Sequence, residues 1–322
     1  MAEPMVNPQR TGLALRDPIA WHDFLQVARV AEEAAYEGVF VPEIAGREAF
    51  ATLAALAAST ERIRLATGVV AIQNRFVSTT AMAAATVQEL SGGRFVLGLG
   101  AGPPGPGSLD RVRHHVAAIR AALAGRPVEE GQVPGFRLAL DLPDPPPVFL
   151  AALGDRMIGL AGEIADGVLL NWCTPERVAR ARELLSEGAV RAGRDPSSVT
   201  VAVYVRACID AEDDVALEAL KEPTGQYAAM PHYRGQLESM GLGELAAAAA
   251  DAAARGRPQD VPEDLVRALC LVADPAAALA RLDRFRASGA DLPVIYPVPA
   301  REPVSSIMGT TLALAPTSVL QP

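Results

Sequence analysis

The chain has 322 residues, half of them hydrophobic, with a formal net charge of -9 and a mean hydropathy of +0.19. A chain of this size buries a large core and has the length of one large α/β domain. Its acidic surface would repel nucleic acid and anionic membranes, so a small molecule or another protein is the expected partner. The first ten residues lack a signal peptide's basic and apolar regions. No apolar stretch approaches the roughly 18 residues of a membrane span, so a cytoplasmic location is predicted.

The cysteines and histidines do not form a metal-binding pattern. Cys173, Cys208 and Cys270 lie far apart, with neither the spacing of a zinc site nor the density of a disulfide framework. The adjacent His114 and His115 would point about 100° apart on a helix, so they cannot share a metal ion. Buried free thiols and no metal are therefore predicted.

Short β-type runs alternate with amphipathic, alanine-rich segments along most of the chain, which is the pattern of βα units around a parallel sheet. The predicted strands are Thr11 to Leu15, Gly38 to Val41, Arg64 to Val69, Phe95 to Leu99, Val148 to Ala152, Gly167 to Leu170, Thr200 to Ala207 and Leu292 to Tyr296. Eight such strands predict a closed (β/α)8 TIM barrel. With no internal repeat or change of composition, residues 1–322 are predicted to form a single domain.

Capping residues mark where several helices begin. Asp17 with Pro18 predicts the start of the first helix, and Thr174 with Pro175 predicts another that continues to about Ala192. Residues 212–256 are predicted to be helical, with prolines and glycines dividing them into pieces. We expect this helical excursion to lie on the catalytic side of the barrel or on an oligomer surface.

The fourth predicted strand ends in spaced glycines. Residues 91–101 read SGGRFVLGLGA, a glycine turn followed by an apolar run with glycine at alternate late positions. Such a strand lets a ligand approach its backbone closely. Gly100 to Gly105 also match Gly-x-Gly-x-x-Gly, but Pro103 and Pro104 remove two amide donors that a dinucleotide-binding loop would use.

The strand ends of a (β/α)8 barrel form its active site, and their residue types exclude several chemistries. The lone lysine, Lys221, falls in the helical excursion, so a Schiff base at a strand end is excluded. No His-x-His motif is present for a metal-dependent hydrolase, and strand six ends in Asn171 rather than a carboxylate. Glu43 is the strand-end carboxylate that remains. Such a site suits an organic cofactor that brings its own reactivity.

Four segments resemble the luciferase-like monooxygenase superfamily, in the branch that uses coenzyme F-420 (8-hydroxy-5-deazaflavin). They are ARVAEEAAYEGVFVPE at 28–43, TERIRLATGV at 60–69, TVQELSGGRFVLGLG at 86–100 and AALGDRMIGLAGEIADG at 151–167. The resemblance covers roughly residues 10 to 210 and implies a cofactor ring over the barrel mouth. It further implies a non-prolyl cis peptide bond between Gly68 and Val69, forming a bulge behind the ring.

The same resemblance assigns the cofactor-binding residues. It implies that Gly100, Ala101 and Gly102 line the ring through backbone groups. Ala152, Leu153 and Gly154 would receive the cofactor phosphate at a helix start, where free amides and the helix dipole favour an anion. Further wall residues are implied at Asp166, Gly167 and Asn171.

We therefore expect an oxidoreductase that transfers hydride between coenzyme F-420 and a C=C or C=N bond, with Glu43 assisting proton transfer. Glu43 could instead cap a neighbouring element or pair with Arg47. The short segment from Gly102 to Ser108 predicts an open pocket and a bulky substrate, such as a peptide or natural-product intermediate. The alternatives are an FMN-dependent monooxygenase that activates oxygen, and a cofactor-free barrel that binds a partner protein. A homodimer formed through barrel helices is also expected from the resemblance.

Overall fold

The structure is a computed structural model that describes residues 10–16, 19–102, 105–129, 133–209 and 211–316. The strands of these residues are β1 (Gly12–Ala14), β2 (Gly38–Val41), β3 (Arg64–Thr67), β4 (Val70–Ala71), β5 (Phe95–Gly100), β6 (Val148–Ala151), β7 (Gly167–Asn171), β8 (Thr200–Cys208), β9 (Leu271–Val272) and β10 (Leu292–Pro297). The helices are α1 (Trp21–Glu33), α2 (Ala49–Ala57), α3 (Val77–Leu90), α4 (Ser108–Leu123), α5 (Asp155–Ile164), α6 (Pro175–Arg191), α7 (Asp213–Ala228), α8 (Pro231–Ser239), α9 (Gly243–Ala254), α10 (Glu263–Leu269), α11 (Pro275–Ala287) and α12 (Pro303–Ala313).

Eight parallel strands close into a barrel, as the alternating pattern predicts. The order is β1-β2-β3-β5-β6-β7-β8-β10, and β10 pairs with both β8 and β1. Each predicted strand is present, so the (β/α)8 TIM barrel is confirmed. A Rossmann-type reading of the glycines after β5 is excluded because that strand belongs to a closed barrel.

Two short strands were not predicted, and one predicted strand is interrupted. The third strand, expected to run to Val69, ends at Thr67 and is followed by a cis peptide bond between Gly68 and Val69. The chain then forms β4, which pairs with β5. The bond is at the position that the resemblance implies. The second short strand, β9, extends the sheet beside β8.

The helix starts are partly as predicted. The Thr174 side chain accepts a hydrogen bond from the Arg177 amide and caps α6, with Pro175 as the first helical residue. The predicted cap at Asp17 and Pro18 lies outside the described residues. The helical excursion is observed as four helices, α7 to α10, and it extends to Leu269 rather than ending near residue 256.

Buried apolar side chains form three clusters, which hold the strands, the surrounding helices and the helical excursion together. One cluster fills the barrel interior and includes Phe40, Phe149, Tyr204 and Tyr296. The largest cluster lies between the strands and the surrounding helices. A third holds α7 to α10 together and includes Trp172, from the turn after β7. The excursion is thereby anchored at the carboxyl end of the strands.

The described part of the chain has no helix long and apolar enough to cross a membrane.

Candidate active site

A cavity of about 590 Å³ opens at the carboxyl end of the barrel. Its lining includes Gly68, Val69, Gly100, Ala101, Gly102, Ala152, Leu153, Gly154 and Asn171, nine of the eleven residues predicted to bind the cofactor. They come from the ends of β3, β5, β6 and β7 and the segments that follow. The structure therefore brings together residues that are far apart in the sequence.

Glycine is required at several positions of the cavity wall. A Cβ on Gly68 would lie 1.9 Å from the Tyr204 hydroxyl, and a Cβ on Gly100 would lie 2.8 Å from Val69 Cγ2. At Gly102, where φ is +72°, it would lie 2.0 Å from Gln73 Oε1. Neighbouring protein atoms therefore occupy the space that a side chain at each of these positions would need.

Tyr204 supports the bulge from inside the barrel. Its hydroxyl donates a hydrogen bond of 2.7 Å to the carbonyl oxygen of Gly68. Burial, reinforced by the nearby Tyr296, raises the pKa of Tyr204 well above its usual value, so the phenol stays protonated as a donor. This hydrogen bond joins β8 to the cis peptide across the barrel interior.

The predicted phosphate site lies at the start of α5. Gly154 is the residue before the helix, whose first-turn amides lack intrahelical acceptors. Arg177 lies beside this turn and donates hydrogen bonds to the Leu153 carbonyl oxygen at 2.6 Å and to Asp155 Oδ1 at 2.7 Å. The Arg177 cation offsets the negative charge of Asp155, which would otherwise oppose phosphate binding.

Asp166 and Gly167, which were predicted to line the cofactor site, do not line the cavity. They lie at the amino end of β7, so they are at the opposite end of the barrel from the cavity. The Asp166 carboxylate accepts hydrogen bonds from the Val148 amide and from Arg120. A Cβ on Gly167 would lie 2.6 Å from the Phe149 ring. Both residues therefore contribute to strand packing rather than to the cavity wall.

Glu43 follows β2 but does not line the cavity, although Pro42 and Ile44 do. Its carboxylate accepts two hydrogen bonds from Arg75, at 3.0 and 2.6 Å, and one of 3.1 Å from the Ala49 amide at the start of α2. Burial favours the neutral acid, but the Arg75 and Ala49 contacts outweigh it and lower the pKa of Glu43. The ion partner is Arg75 rather than Arg47. The proton-transfer role stays a prediction, and an ionised carboxylate weighs against it.

Replacing Glu43 by glutamine is expected to reduce the free energy of unfolding by roughly 1 kcal/mol at pH 7, because the Arg75 ion pair is lost. A carboxylate with a lowered pKa stabilises the fold above its unfolded-state pKa of about 4.3. The difference from wild type should therefore shrink as the pH falls through the folded-state pKa. Urea unfolding between pH 7 and pH 3.5 measures this, with the exposed Glu89→Gln as control. Equal stability of Glu43→Gln and wild type at pH 7 would contradict it.

The sequence reasoning missed the aromatic and basic side chains of the cavity wall. Arg206 and Tyr204 come from β8, Tyr296 from β10, and Tyr227, His232 and Tyr233 from α7 and α8. The excursion therefore covers part of the mouth that the short segment after β5 leaves open. One sequence feature could have identified Arg206 as a site residue: it is the single charged residue in β8, which is otherwise uncharged.

Asn171 connects these groups at the end of β7. Its side-chain amide donates a hydrogen bond of 2.7 Å to the Tyr233 hydroxyl, and its Oδ1 accepts one from Arg206. Burial raises the pKa of Tyr233 to about 12, so this phenol is protonated at neutral pH. The cavity thus has hydrogen-bond donors on one side and a glycine-rich wall on the other.

A parallel barrel with a glycine-lined mouth and a cis peptide after its third strand agrees with the family comparison. The family model described as luciferase-like monooxygenase matches residues 4–292, and the chain belongs to this family. The resemblance identified in the sequence is thereby confirmed.

Two of the relatives that are similar to this chain are named as oxidoreductases. The 5,10-methylenetetrahydromethanopterin reductase of Methanolobus tindarius is 35% identical over 203 residues, which cover 59% of this chain and 61% of that protein. The F-420-dependent glucose-6-phosphate dehydrogenase of Beutenbergia cavernae is 32% identical over 242 residues, 65% of this chain and 70% of that one. The match to the first relative thus spans about three fifths of its length.

A solved structure supports the fold over nearly the whole chain. The coenzyme F-420-dependent tetrahydromethanopterin reductase of Methanopyrus kandleri superposes with a TM-score of 0.83 and is 24% identical. The superposition covers 95% of this chain and 97% of that one.

Proposed function

We propose that the protein is an oxidoreductase that transfers hydride between coenzyme F-420 and a C=C or C=N bond of an organic substrate. The observation that carries the proposal is that Gly68, Gly100 and Gly102, which have no side chains, line one wall of the cavity at the carboxyl end of the barrel. The names of the relatives from Methanolobus and Beutenbergia support a redox function, and the second supports F-420 as the cofactor.

The cavity fits a deazaflavin in size and in chemistry. Its volume of about 590 Å³ lies within the range of cofactor sites, roughly 300–1,000 Å³. Val69 and Ala101 supply apolar contacts beside the glycines, while Leu153 and Gly154 lie at the helix start where a phosphate would bind. Arg177 places a cation next to that turn.

The bound deazaflavin would supply the hydride, two electrons with one proton, and would itself be oxidised by two electrons. The side chains of the chain must then position the substrate and supply the second proton to the atom next to the reduced carbon. Tyr233 remains protonated at neutral pH and lies in the cavity wall, so it is placed to donate a hydrogen bond or a proton there. Glu43 stays a second candidate for proton transfer, tested by whether Glu43→Gln loses turnover while retaining its fold.

A paired binding titration tests the cofactor assignment. The purified full chain is titrated with oxidised coenzyme F-420 and with FMN, and F-420 is expected to bind more tightly. Gly100→Val should weaken F-420 binding about tenfold or more, because its Cβ would lie 2.8 Å from Val69 Cγ2 and displace that residue of the wall. Gly235→Ala, in α8 with nothing within 4 Å of the new Cβ, is the matched control. Tighter binding of FMN would favour the oxygen-activating monooxygenase, and no binding of either would favour the partner-binding barrel.

We also propose a homodimer in the cytoplasm. The exposed alanines of α2, Ala51 and Ala55, would allow helices of two subunits to approach closely, whereas Ala81, Ala84 and Ala85 of α3 are buried within the subunit. Sedimentation equilibrium of the full chain tests the dimer, and a mass equal to one chain at micromolar concentration would contradict it.

A further inference from the structure

A buried guanidinium forms part of the cavity wall opposite the glycines. Arg206, near the end of β8, is only 3% exposed, yet its side chain lines the cavity. Its central carbon lies over the rings of Trp172 and Tyr296, 4.3 and 4.5 Å from their centroids, and 5.2 Å from the Tyr227 ring. Arg206 is thus held in a cage of aromatic rings.

The charge of Arg206 has no acidic partner in the described residues. The side chain donates a hydrogen bond to the neutral Asn171 Oδ1, and no described carboxylate forms an ion pair with it. Moreover, the lining residues of the cavity that the structure describes contain no aspartate or glutamate. A buried charge is costly unless it is paired, and contacts with aromatic rings supply no opposite charge. An anion entering the cavity would therefore be stabilised.

The chemistry of guanidinium selects the kind of anion. Its donors lie in one plane, in a fork that matches the two oxygens of a carboxylate. Rings over the group favour ligand contacts along its edges, where Asn171 already accepts one hydrogen bond. The edge that remains free toward the cavity suits a planar carboxylate.

Arg206 is also close to the wall where the cofactor ring is proposed to bind. The Tyr204 hydroxyl contacts the Gly68 carbonyl oxygen, and the Tyr204 ring centroid lies 5.9 Å from the guanidinium carbon of Arg206. A small molecule bound to Arg206 would therefore be long enough to reach the cavity wall at Gly68.

We propose that Arg206 binds a carboxylate of the substrate, so that the substrate is an organic acid whose carboxylate lies near the reducible bond. This assignment of the substrate class rests on the proposed function. The assignment of the anion site itself does not require the cofactor.

The test uses benzoate as the probe and its neutral analogue benzamide as the comparison. Trp172 contacts Arg206, and the other tryptophan, Trp21, is removed by Trp21→Phe so that fluorescence reports on Trp172 alone. We expect a saturable change with benzoate and binding of benzamide that is about tenfold weaker or more. Arg206→Met should abolish the preference for benzoate, and Arg206→Lys should retain part of it. Arg180→Met, which removes an exposed arginine of α6 paired with Glu183, should leave it unchanged.

Equal binding of benzoate and benzamide, or a preference that survives in a folded Arg206→Met variant, would overturn the proposal. If Arg206→Met does not fold, Arg206→Lys decides, because full retention of the preference would contradict a paired carboxylate contact. Calorimetry with saturating oxidised F-420 separates substrate from cofactor: retained benzoate binding supports the proposal, and competition by F-420 would overturn it. Failure of F-420 to bind at all would instead refute the proposed function while leaving the benzoate result intact.

Discussion

Replacing Gly98 by alanine is expected to lower the free energy of unfolding by about 4 kcal/mol, a large loss for the addition of one methyl group. Gly98 lies within β5, where a Cβ would be 2.0 Å from the carbonyl oxygen of Thr67 in β3. The Gly98 amide donates a hydrogen bond of 2.7 Å to Thr67 Oγ1, and Thr67 Oγ1 donates one of 2.8 Å to the Gly98 carbonyl oxygen. The new atom would push apart two backbones, so no rotation of a side chain relieves the clash.

Urea unfolding of Gly98→Ala and wild type measures this loss. Gly235→Ala is the control, since its new Cβ meets nothing within 4 Å and alanine is the better helix former. It should be equal to or up to about 1 kcal/mol more stable than wild type. Stability of Gly98→Ala within 1 kcal/mol of wild type would show that β3 and β5 are not packed as described.

Replacing Gly68 by alanine is expected to lower the free energy of unfolding by about 3 kcal/mol and to weaken cofactor binding. The new Cβ would lie 1.9 Å from the Tyr204 hydroxyl and 3.1 Å from Phe40 Cβ. Tyr204→Phe removes the clashing oxygen and leaves the ring carbon, Cζ, 3.3 Å away. The alanine should therefore cost less in the Tyr204→Phe background.

A double-mutant cycle measures that dependence. We expect a coupling free energy between Gly68→Ala and Tyr204→Phe of about 1–2 kcal/mol, with the double variant more stable than the sum of the single losses predicts. Affinity for oxidised F-420, measured on the same four proteins, should follow the same order. Strict additivity would mean that the Tyr204 hydroxyl does not occupy the space beside Gly68.

The barrel and much of the cavity could be predicted because their signals are local in the sequence. Each signal predicts the structure of the segment that contains it. Examples are the glycines at alternate positions of β5, the threonine cap before α6 and the apolar runs of strand length. Parallel strands then bring their carboxyl ends together, so a residue after one strand is placed beside a residue after the next. This is why Gly100, Gly154 and Asn171 meet although the sequence separates them.

Asp166 and Gly167 were misplaced for a related reason. They belong to a segment that resembles the family, but Asp166 precedes β7 and Gly167 is its first residue. The amino end of a strand lies at the end of the barrel away from the active site. The position relative to the strand is the better guide here. It assigns Asp166 to the contacts with Val148 and Arg120 that the structure shows.

The remaining wall residues depend on packing between distant segments. Tyr227 and Tyr233 reach the cavity because α7 and α8 pack on Trp172, and the helical pattern of the excursion does not say which of its faces meets the barrel. Glu43 lies two residues after β2, yet its partner Arg75 follows β4, a strand that the sequence did not reveal. The contact with Arg75 determines whether Glu43 is available as a proton donor or is held in an ion pair.

A crystal structure of the full chain with oxidised coenzyme F-420 tests the central claim most directly. The account predicts the deazaflavin ring in the cavity at the carboxyl end of the barrel, in van der Waals contact with Val69 and Gly100, and the phosphate at the start of α5. A ring bound elsewhere, such as in the groove between α4 and the segment after β4 that Gln73 and Arg111 line, would contradict it.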